Sequence, residues 1–292
     1  IVAVVGRPNV GKSTLMNHLL GEKVAIVSPK PQTTRNRIAG ILTKGEDQYV
    51  FLDTPGVHHA KNKLGEFMMK TVRSSVGSAD AVILIAEAGY PAGEIEKNLI
   101  NQIKKSELPS ILVLNKIDLV NREKLAETIA NYAALHDFDA VVPTCAETGK
   151  NVSDVLDEAE KFLYEGEWMF DEDSLTDQPE RQIAAEIIRE KLLRTLSDEI
   201  PHGTAVVIEQ FDEDDKMIRI RAEIYCEKQS HKGIIVGKNG ETLKKIGTYA
   251  REDMEAFFGT KVYLNLWVKV KEKWRDDQLS LNSFGFKPEQ NM

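Results

Sequence analysis

Little in this chain would tie it covalently to itself or to a membrane. Its 292 residues hold two cysteines, Cys145 and Cys226, far apart and without metal-type spacing. That excludes a disulfide framework and a cysteine zinc site, and it fits a reducing cytoplasmic setting. The longest unbroken apolar run, "AVILIA" from Ala81 to Ala86, falls far short of the roughly 20 residues that a bilayer-spanning helix needs. No membrane helix is expected. Internal repeats and low-complexity tracts are also lacking, and so is a positive charge balance: 38 basic residues stand against 46 acidic ones, for a net of −8. The chain opens at Ile1 without a methionine, so leading residues are expected before it, and a targeting signal there would be invisible.

What is present suits two globular domains, at 42% hydrophobic and 29% charged residues. Charge divides unevenly between them. Residues 1–180 carry 19 Lys+Arg and 27 Asp+Glu, whereas residues 181–292 carry 19 of each. Within the second part, Lys228 to Arg275 holds 11 basic and 5 acidic residues. A polyanion would dock there; a solvated charged face is the plainer alternative.

The first half alternates short β-branched runs with helical periods. "IVAVV" (1–5), "YVFLD" (49–53), "AVILIA" (81–86), "SILVLN" (110–115) and "AVVPTC" (140–145) read as strands buried on both faces. The order predicts an α/β fold with a doubly wound, mostly parallel sheet. "RIAGILT" (37–43) followed by "KGED" reads as a hairpin that adds one antiparallel strand. After a last helix near 152–164, "EGEWMFDEDSLTDQPERQ" is acidic and without period. It sets the expected boundaries: a first domain over 1–165, an acidic linker over 166–180, a second domain over 181–276, and a polar, loosely held tail over 277–292. The second domain reads as a helix (181–198), strands at "TAVVIEQF" and "MIRIRAEIYC", the turn "GIIVGKNG", a helix (241–258) and the strand "KVYLNLWVKVK". In the later helix Leu243, Ile246, Ala250, Met254 and Phe257 form an apolar stripe that reads as core.

Chemistry begins at Gly6-Arg7-Pro8-Asn9-Val10-Gly11-Lys12-Ser13, which satisfies G-x-x-x-x-G-K-[ST] directly after a strand and before the helix "KSTLMNHLL". The glycines let backbone N–H groups turn in around a β-phosphate, Lys12 neutralises β and γ oxygens, and the Ser13 hydroxyl faces Mg²⁺. Asn9, Val10, Gly11, Lys12, Ser13 and Thr14 are therefore nucleotide-site candidates. Asn115-Lys116-Ile117-Asp118 closes a strand at the sheet edge where ligands bind, and the Asp118 carboxylate there selects guanine by accepting from its N1–H and exocyclic amine. Asp53-Thr54-Pro55-Gly56 supplies an acid toward Mg²⁺ and the Gly56 amide toward the γ-phosphate. In "PQTTRNR" between them, Thr33 or Thr34 reaches the metal once the γ-phosphate is present, which makes the loop a switch. The sequence does not separate the two threonines; with Thr34 standing for the pair, the metal set reads Ser13, Thr34 and Asp53 and the catalytic set Lys12, Thr34 and Gly56.

In this order, these motifs resemble the translation-factor-related GTPases. "TCAETG" (144–149) then looks like the last guanine loop of that class, with Cys145 where a serine is usual and Ala146 offering its backbone N–H to the base. A Ras-like enzyme carries a water-orienting glutamine after the motif's glycine; this chain has Val57, so slow intrinsic turnover is expected. His58 and His59 follow and read as exposed loop residues. The resemblance further implies that Asn9, with the "TTR" switch, helps hold a K⁺ ion near the phosphates.

The second domain's order, with G-x-x-G (Gly237, Lys238, Asn239, Gly240) opening a helix, is similar to a type II KH domain, a smaller α+β module that clamps single-stranded nucleic acid. Lys228, His231, Lys232, Lys244 and Lys245 surround that turn. A GTPase domain joined to a KH domain, with "PQTTRNRIAGI", "EIIREKL", "VGKNG" and "LWVKVKEKW", resembles the Era family of bacterial GTPases. The resemblance implies binding of the 3′ end of 16S ribosomal RNA, a GTP-gated role in 30S subunit maturation and, in some members, peripheral attachment to the inner membrane; a monomeric cytoplasmic protein with no DNA partner is expected. A rival reading is a membrane-associated GTPase whose second domain grips protein; weak salt dependence would mark it. A metabolic phosphate-loop kinase fails on "NKID", since it needs no guanine selector.

Overall fold

The computed structural model describes residues 1–287 and divides into two units, each with its own core. In the first unit, β4 (Ala81–Glu87) shows how a strand serves two faces. Ala81, Ile83 and Ile85 join one apolar cluster, and Val82, Leu84 and Ala86 join another. A strand buried on both sides must be apolar throughout, which is why these runs stand out in the sequence. Around it lie β1 (Val2–Val5), β2 (Ile38–Lys44), β3 (Asp47–Asp53), β5 (Ser110–Asn115) and β6 (Ala140–Pro143), in the order β2-β3-β1-β4-β5-β6. Every pairing is parallel except β2 with β3, the expected hairpin. α1 (Lys12–Leu20) and α5 (Val152–Glu160) cover one face through Leu15, Met16 and Val155. α2 (Lys63–Gly77), α3 (Glu94–Ser106) and α4 (Arg122–Ala133) cover the other through Val72, Leu99, Ile103 and Tyr132.

Residues 166–177, read from sequence as linker, lie against the exposed edge of the hairpin. Ile41 N–H donates to Leu175 O at 2.9 Å, and Gln48 Oε1 accepts from Met169 and Phe170 N–H at 2.9 and 3.0 Å. Trp168 Nε1–H donates to Glu46 O at 2.8 Å, and Phe170 packs on Ala39, Val50 and Leu52. An edge strand left bare invites pairing with other chains; this segment covers it. The acidic side chains hid the role, because the attachment is made mostly by backbone groups.

The second unit comprises Gln178 onward together with Ser28–Thr33 and Ala60–Phe67. Its elements are α6 (Glu180–Thr195), β7 (Ala205–Asp214), β8 (Met217–Cys226), α7 (Gln229–Val236), α8 (Glu241–Phe258), β9 (Lys261–Val270) and α9 (Gln278–Ser283). The sheet runs β7-β8-β9, with β7 antiparallel and β9 parallel to β8, so α7 and α8 form the crossover. Ile188 and Leu192 of α6, Ile220 and Ile224 of β8 and Ile246, Ala250 and Met254 of α8 make its core.

Three details differ from the sequence reading. α7 was not foreseen, since eight residues with Gly233 and the β-branched run Ile234-Ile235-Val236 carry no helical signal; packing of Ile235, fully buried, supports it. Phe257 is 38% exposed rather than core, and Phe258 turns inward against Phe211 instead. The tail is not loose over its described part: Leu281 and Phe286 are buried, and fully buried Trp274 stacks on Phe286 and donates to Gly203 O at 2.9 Å. Among the described residues no helix is long and apolar enough to cross a membrane.

Candidate nucleotide site and nucleic-acid interface

The phosphate loop leaves β1 at Gly6 and enters α1 at Lys12, with Gly11 at φ +105° as the helix N-cap. A Cβ at Gly11 would meet Asn115 Nδ2 at 2.2 Å, so only glycine fits there. Lys12 is buried, and its ammonium donates to Gly6 O at 3.2 Å and Arg7 O at 2.8 Å. Burial lowers its pKa to about 8, with the Asp53 carboxylate pulling the other way. Thr14 lies half-buried on the first turn of α1, and Asn9, at φ +62°, is exposed at the loop's tip.

The three residues expected at the metal come together. Ser13 Oγ donates to Asp53 Oδ2 at 2.6 Å, Thr34 Oγ1 donates to the same oxygen at 3.1 Å, and the two hydroxyls are 3.0 Å apart. Among the described residues Asp53 Oδ1 is buried without a hydrogen-bond partner. Burial raises the Asp53 carboxyl above its ordinary value, opposed by Lys12 and by the Ser13 and Thr34 hydroxyls. Adjacent oxygens of an octahedral Mg²⁺ shell lie about 2.9 Å apart, given metal–oxygen distances of about 2.0 to 2.1 Å. A hard all-oxygen set with that spacing and one unsatisfied carboxylate oxygen suits Mg²⁺. Thr33 is elsewhere: its hydroxyl donates to Lys30 O at 2.7 Å. The sequence offered both threonines; the geometry brings Thr34 to the set.

The Asp53-Thr54-Pro55-Gly56 segment is locked to the phosphate loop. Thr54 Oγ1 donates to Val4 O at 2.7 Å and Val57 N–H to Gly6 O at 3.0 Å, and a Cβ on Gly56 would reach 2.7 Å from the Pro8 backbone. The Val57 side chain, half-buried, packs against the apolar core. His58 Nδ1 lies 2.8 Å from Gly56 O, so Nδ1 carries a proton and donates; His59 is exposed.

Asn115 does something the motif alone does not announce. Its Nδ2 donates to Val10 O at 2.7 Å, while its Oδ1 accepts from Ala146 N–H at 2.8 Å and from Thr144 Oγ1 at 3.2 Å. It clamps the phosphate loop to the last guanine loop, and the Ala146 N–H expected for the base is engaged with it. Cys145 is buried, its backbone paired both ways with Lys150 at 3.1 Å. Asp118 sits exposed on a short turn over Ile117–Leu119, whose Ile117 N–H donates to Thr144 O at 3.1 Å. Lys116, at φ +65°, pairs with Glu87 at 2.8 Å, a partner the motif gives no hint of.

In the second unit, Gly237, Asn239 and Gly240 take φ of +75°, +52° and +79° between α7 and α8. A Cβ at Gly237 would stand 2.2 Å from Thr242 Oγ1, so the turn requires its first glycine twice over. Lys238 and Asn239 project outward and exposed. Lys228 is the exposed N-cap residue of α7; His231 and Lys232 are half-buried on that helix, and among the described residues His231 Nδ1 has no hydrogen-bond partner. Lys244 and Lys245 are exposed on α8, with the Lys245 ammonium 5.9 Å from the Tyr249 ring centre. All nine expected contacts thus lie on α7, the turn and the start of α8.

Sequence reasoning missed the groove beside them. Leu243, Gly247 and Arg251 of α8 face Tyr263, Asn265 and Leu266 of edge strand β9 across it. Gly247 was the available signal: a glycine inside a helix is costly, and a Cβ there would meet Leu266 Cδ1 at 3.4 Å, narrowing the floor.

The family described as 50S ribosome-binding GTPase matches residues 1–116, and the KH domain family matches residues 199–275. The chain is 48% identical to GTPase Era of Ruminiclostridium cellulolyticum, covering 99% of this chain and 98% of the relative. It is 49% identical to GTPase Era of Clostridium botulinum strain Hall, over 98% and 97%. A crystal structure of Era with MgGDPNP and nucleotides 1506–1542 of 16S ribosomal RNA superposes with a TM-score of 0.94 at 39% identity, covering 98% and 97% of the two chains. Aquifex aeolicus Era, as a variant bound to GDP and AlF4⁻, gives the same score and identity over 98% of each chain.

Proposed function

The chain belongs to the Era family and is a GTPase, and from that premise we propose that it is a GTP-gated switch whose KH unit grips the 3′ end of 16S ribosomal RNA during small-subunit maturation. The observation that carries the RNA reading is the Gly237–Gly240 turn, which leaves Lys238 and Asn239 exposed and whose Gly240 lines the groove between α8 and β9. Glycine backbone lets a sugar-phosphate chain approach closely, and the lysines around it supply charge to successive phosphates. The GTPase family's description names the large subunit, but the RNA in the superposed complex comes from the small one. We follow the RNA, because the KH unit is the part built to hold it. Crosslinking the protein with a GTP analogue to total cellular RNA tests this; recovery of scattered messenger RNA or of large-subunit RNA would refute the assignment.

At the nucleotide site, Lys12 neutralises charge on the β- and γ-phosphoryl oxygens, and Ser13, Thr34 and Asp53 hold Mg²⁺, which offsets charge on the same oxygens when bound. Asp118 accepts from the guanine, and Asn115 keeps the two loops in register. Val57, packed into the core, leaves the attacking water without a side chain to orient it, so turnover is slow without help. Asn9, exposed at the tip of the phosphate loop, would help hold a K⁺ ion, which would supply part of the missing charge. Hydrolysis no faster in KCl than in NaCl removes that role.

GTP orders the Thr34 segment, and that state favours RNA. Coupling is reciprocal, so RNA favours GTP over GDP by the same factor. Equal RNA affinities of the GTP-bound and GDP-bound protein would end the switch reading. The protein acts as a cytoplasmic monomer, and any attachment to the inner membrane is peripheral. Flotation with anionic vesicles checks the last point.

A further inference from the structure

The core of the second unit uses only one face of its sheet. Ile218, Ile220 and Ile224 of β8 and Val262 and Val268 of β9 belong to it, so the residues between them stand on the opposite face. In register there, Arg219 lies beside Tyr263, Arg221 beside Asn265 and Glu223 beside Trp267. The chain covers one end of this face itself: the Phe284 ring lies 4.5 Å from that of Tyr225, and the buried Glu223 carboxylate is held by the Tyr225 hydroxyl at 2.6 Å and the Lys269 ammonium at 2.5 Å. Beyond Glu223 the face is open among the described residues. Trp267 is 57% and Tyr263 58% exposed, and Arg219 and Arg221 are exposed with them. A tryptophan left more than half in water is unusual, since its large apolar ring is well buried on average.

Charge sets the path that a ligand takes across it. The outer strand β7 is acidic along its exposed end, with Glu209, Asp212, Glu213 and Asp214, and Asp214 already pairs with Arg219. The β9 side instead carries Lys261 and Lys269 on the same face as Tyr263 and Trp267. A polyanion is therefore turned away from β7 and drawn along β9. Tyr263 and Asn265 also line the groove between α8 and β9, so the open face continues from that groove around the β9 edge. Tyr263 and Trp267 are separated by four positions on one side of the strand, about 13 Å, and exposed rings on a sheet can stack two or three unpaired bases. Such stacking needs no particular base, because every base has a flat face. We propose that Tyr263 and Trp267 form a second RNA surface, on which the single strand leaving the α8–β9 groove continues over the β9 edge and stacks its bases on the outer face of the sheet. The proposal rests on the RNA reading of the KH unit and extends its footprint beyond the groove.

The test is fluorescence anisotropy with the full chain and a non-hydrolysable GTP analogue, using two fluorescein-labelled single strands from the 3′ end of 16S ribosomal RNA. One has about twelve nucleotides; the other is the shortest piece of it that still binds, about four, the length that a KH groove clamps. Trp267→Ala is expected to weaken the long strand about tenfold and the short one less than about twofold. Trp267→Phe, which keeps a stacking ring, should recover most of the loss, and Arg221→Glu, on the same face, should weaken the long strand alone. Unchanged affinity of Trp267→Ala for the long strand overturns the proposal and leaves the face to a protein partner. Equal weakening of both strands overturns it as well, because Trp267 would then act through the groove or the fold. If Trp267→Ala does not fold by circular dichroism, Arg221→Glu decides on the same readout. Lys238→Ala, in the G-x-x-G turn, is measured in parallel. If it weakens neither strand, the groove reading fails whatever Trp267 shows; if it weakens both while Trp267→Ala weakens neither, only the second surface fails.

Discussion

Lys12 and Asp53 are charged groups held in a site that penalises charge. For Lys12 the folded pKa is about 8, below the 10.5 of an exposed lysine. Between those values the unfolded chain binds more protons than the folded one, so free-protein stability rises with pH across that window, and the cost of the buried ammonium is full below pH 8. Phosphate oxygens reverse the preference, because they require the charged form. Binding above that pKa must therefore take up a proton. GTP affinity is expected to be flat below about pH 7 and roughly tenfold weaker at about pH 9, measured by calorimetry in buffers of different ionisation heat. A flat profile to pH 9 would show that Lys12 is not the group being charged. The two threonines give a sharper contrast. Thr34→Ala should lower GTP-analogue affinity at least about tenfold relative to GDP, whereas Thr33→Ala, whose hydroxyl caps only Lys30 O, should stay within about twofold. The motif could not separate neighbours of identical chemistry; a 3.1 Å approach to Asp53 does.

The elements explain why the KH turn tolerates some changes and not others. Gly237 has a left-handed backbone and Thr242 Oγ1 where a Cβ would go, so Gly237→Ala strains the start of α8. A loss of about 1 to 3 kcal/mol in urea denaturation is expected, together with lost RNA affinity. Lys238→Ala touches no buried atom. It should leave stability unchanged, weaken RNA binding and reduce the slope of log affinity against log salt by about one, measured by filter binding from low to moderate salt. A slope unaltered by Lys238→Ala would mean that this lysine meets no phosphate. Long elements such as α8 and β8 were legible because period and length agreed. α7 was not, because eight residues ending in Ile-Ile-Val gain their helix from the burial of Ile235 against the sheet.

At the level of the whole molecule, segments that looked like connectors complete the units. Residues 166–177 cover the β2 edge, and the stretch after Asp276 closes over Trp274. Ending the chain at Asp276 removes Phe284 and Phe286 from the Trp274 ring and uncovers Leu281's site. The second unit's urea transition should lose about 3 kcal/mol or more, by the burial of an aromatic and a leucine side chain. An unchanged midpoint would restore the loose tail expected from its polar sequence.

The phosphate-loop pattern, the residue types proposed for guanine and Mg²⁺, and the G-x-x-G turn could all be read from the amino-acid order itself. Each is a local chemical demand: a glycine where backbone must approach a ligand, or a charge at a strand or helix end. Strand identity was equally open to reading, since two-sided burial imposes unbroken apolarity. What only the tertiary structure decided are relations between distant residues. Thr34 rather than Thr33 at Asp53, and Asn115 bridging Val10 and Ala146, depend on contacts 19 or more residues apart in sequence. A carbonyl or amide engaged in this way leaves no mark on composition or periodicity, because every residue carries the same backbone groups.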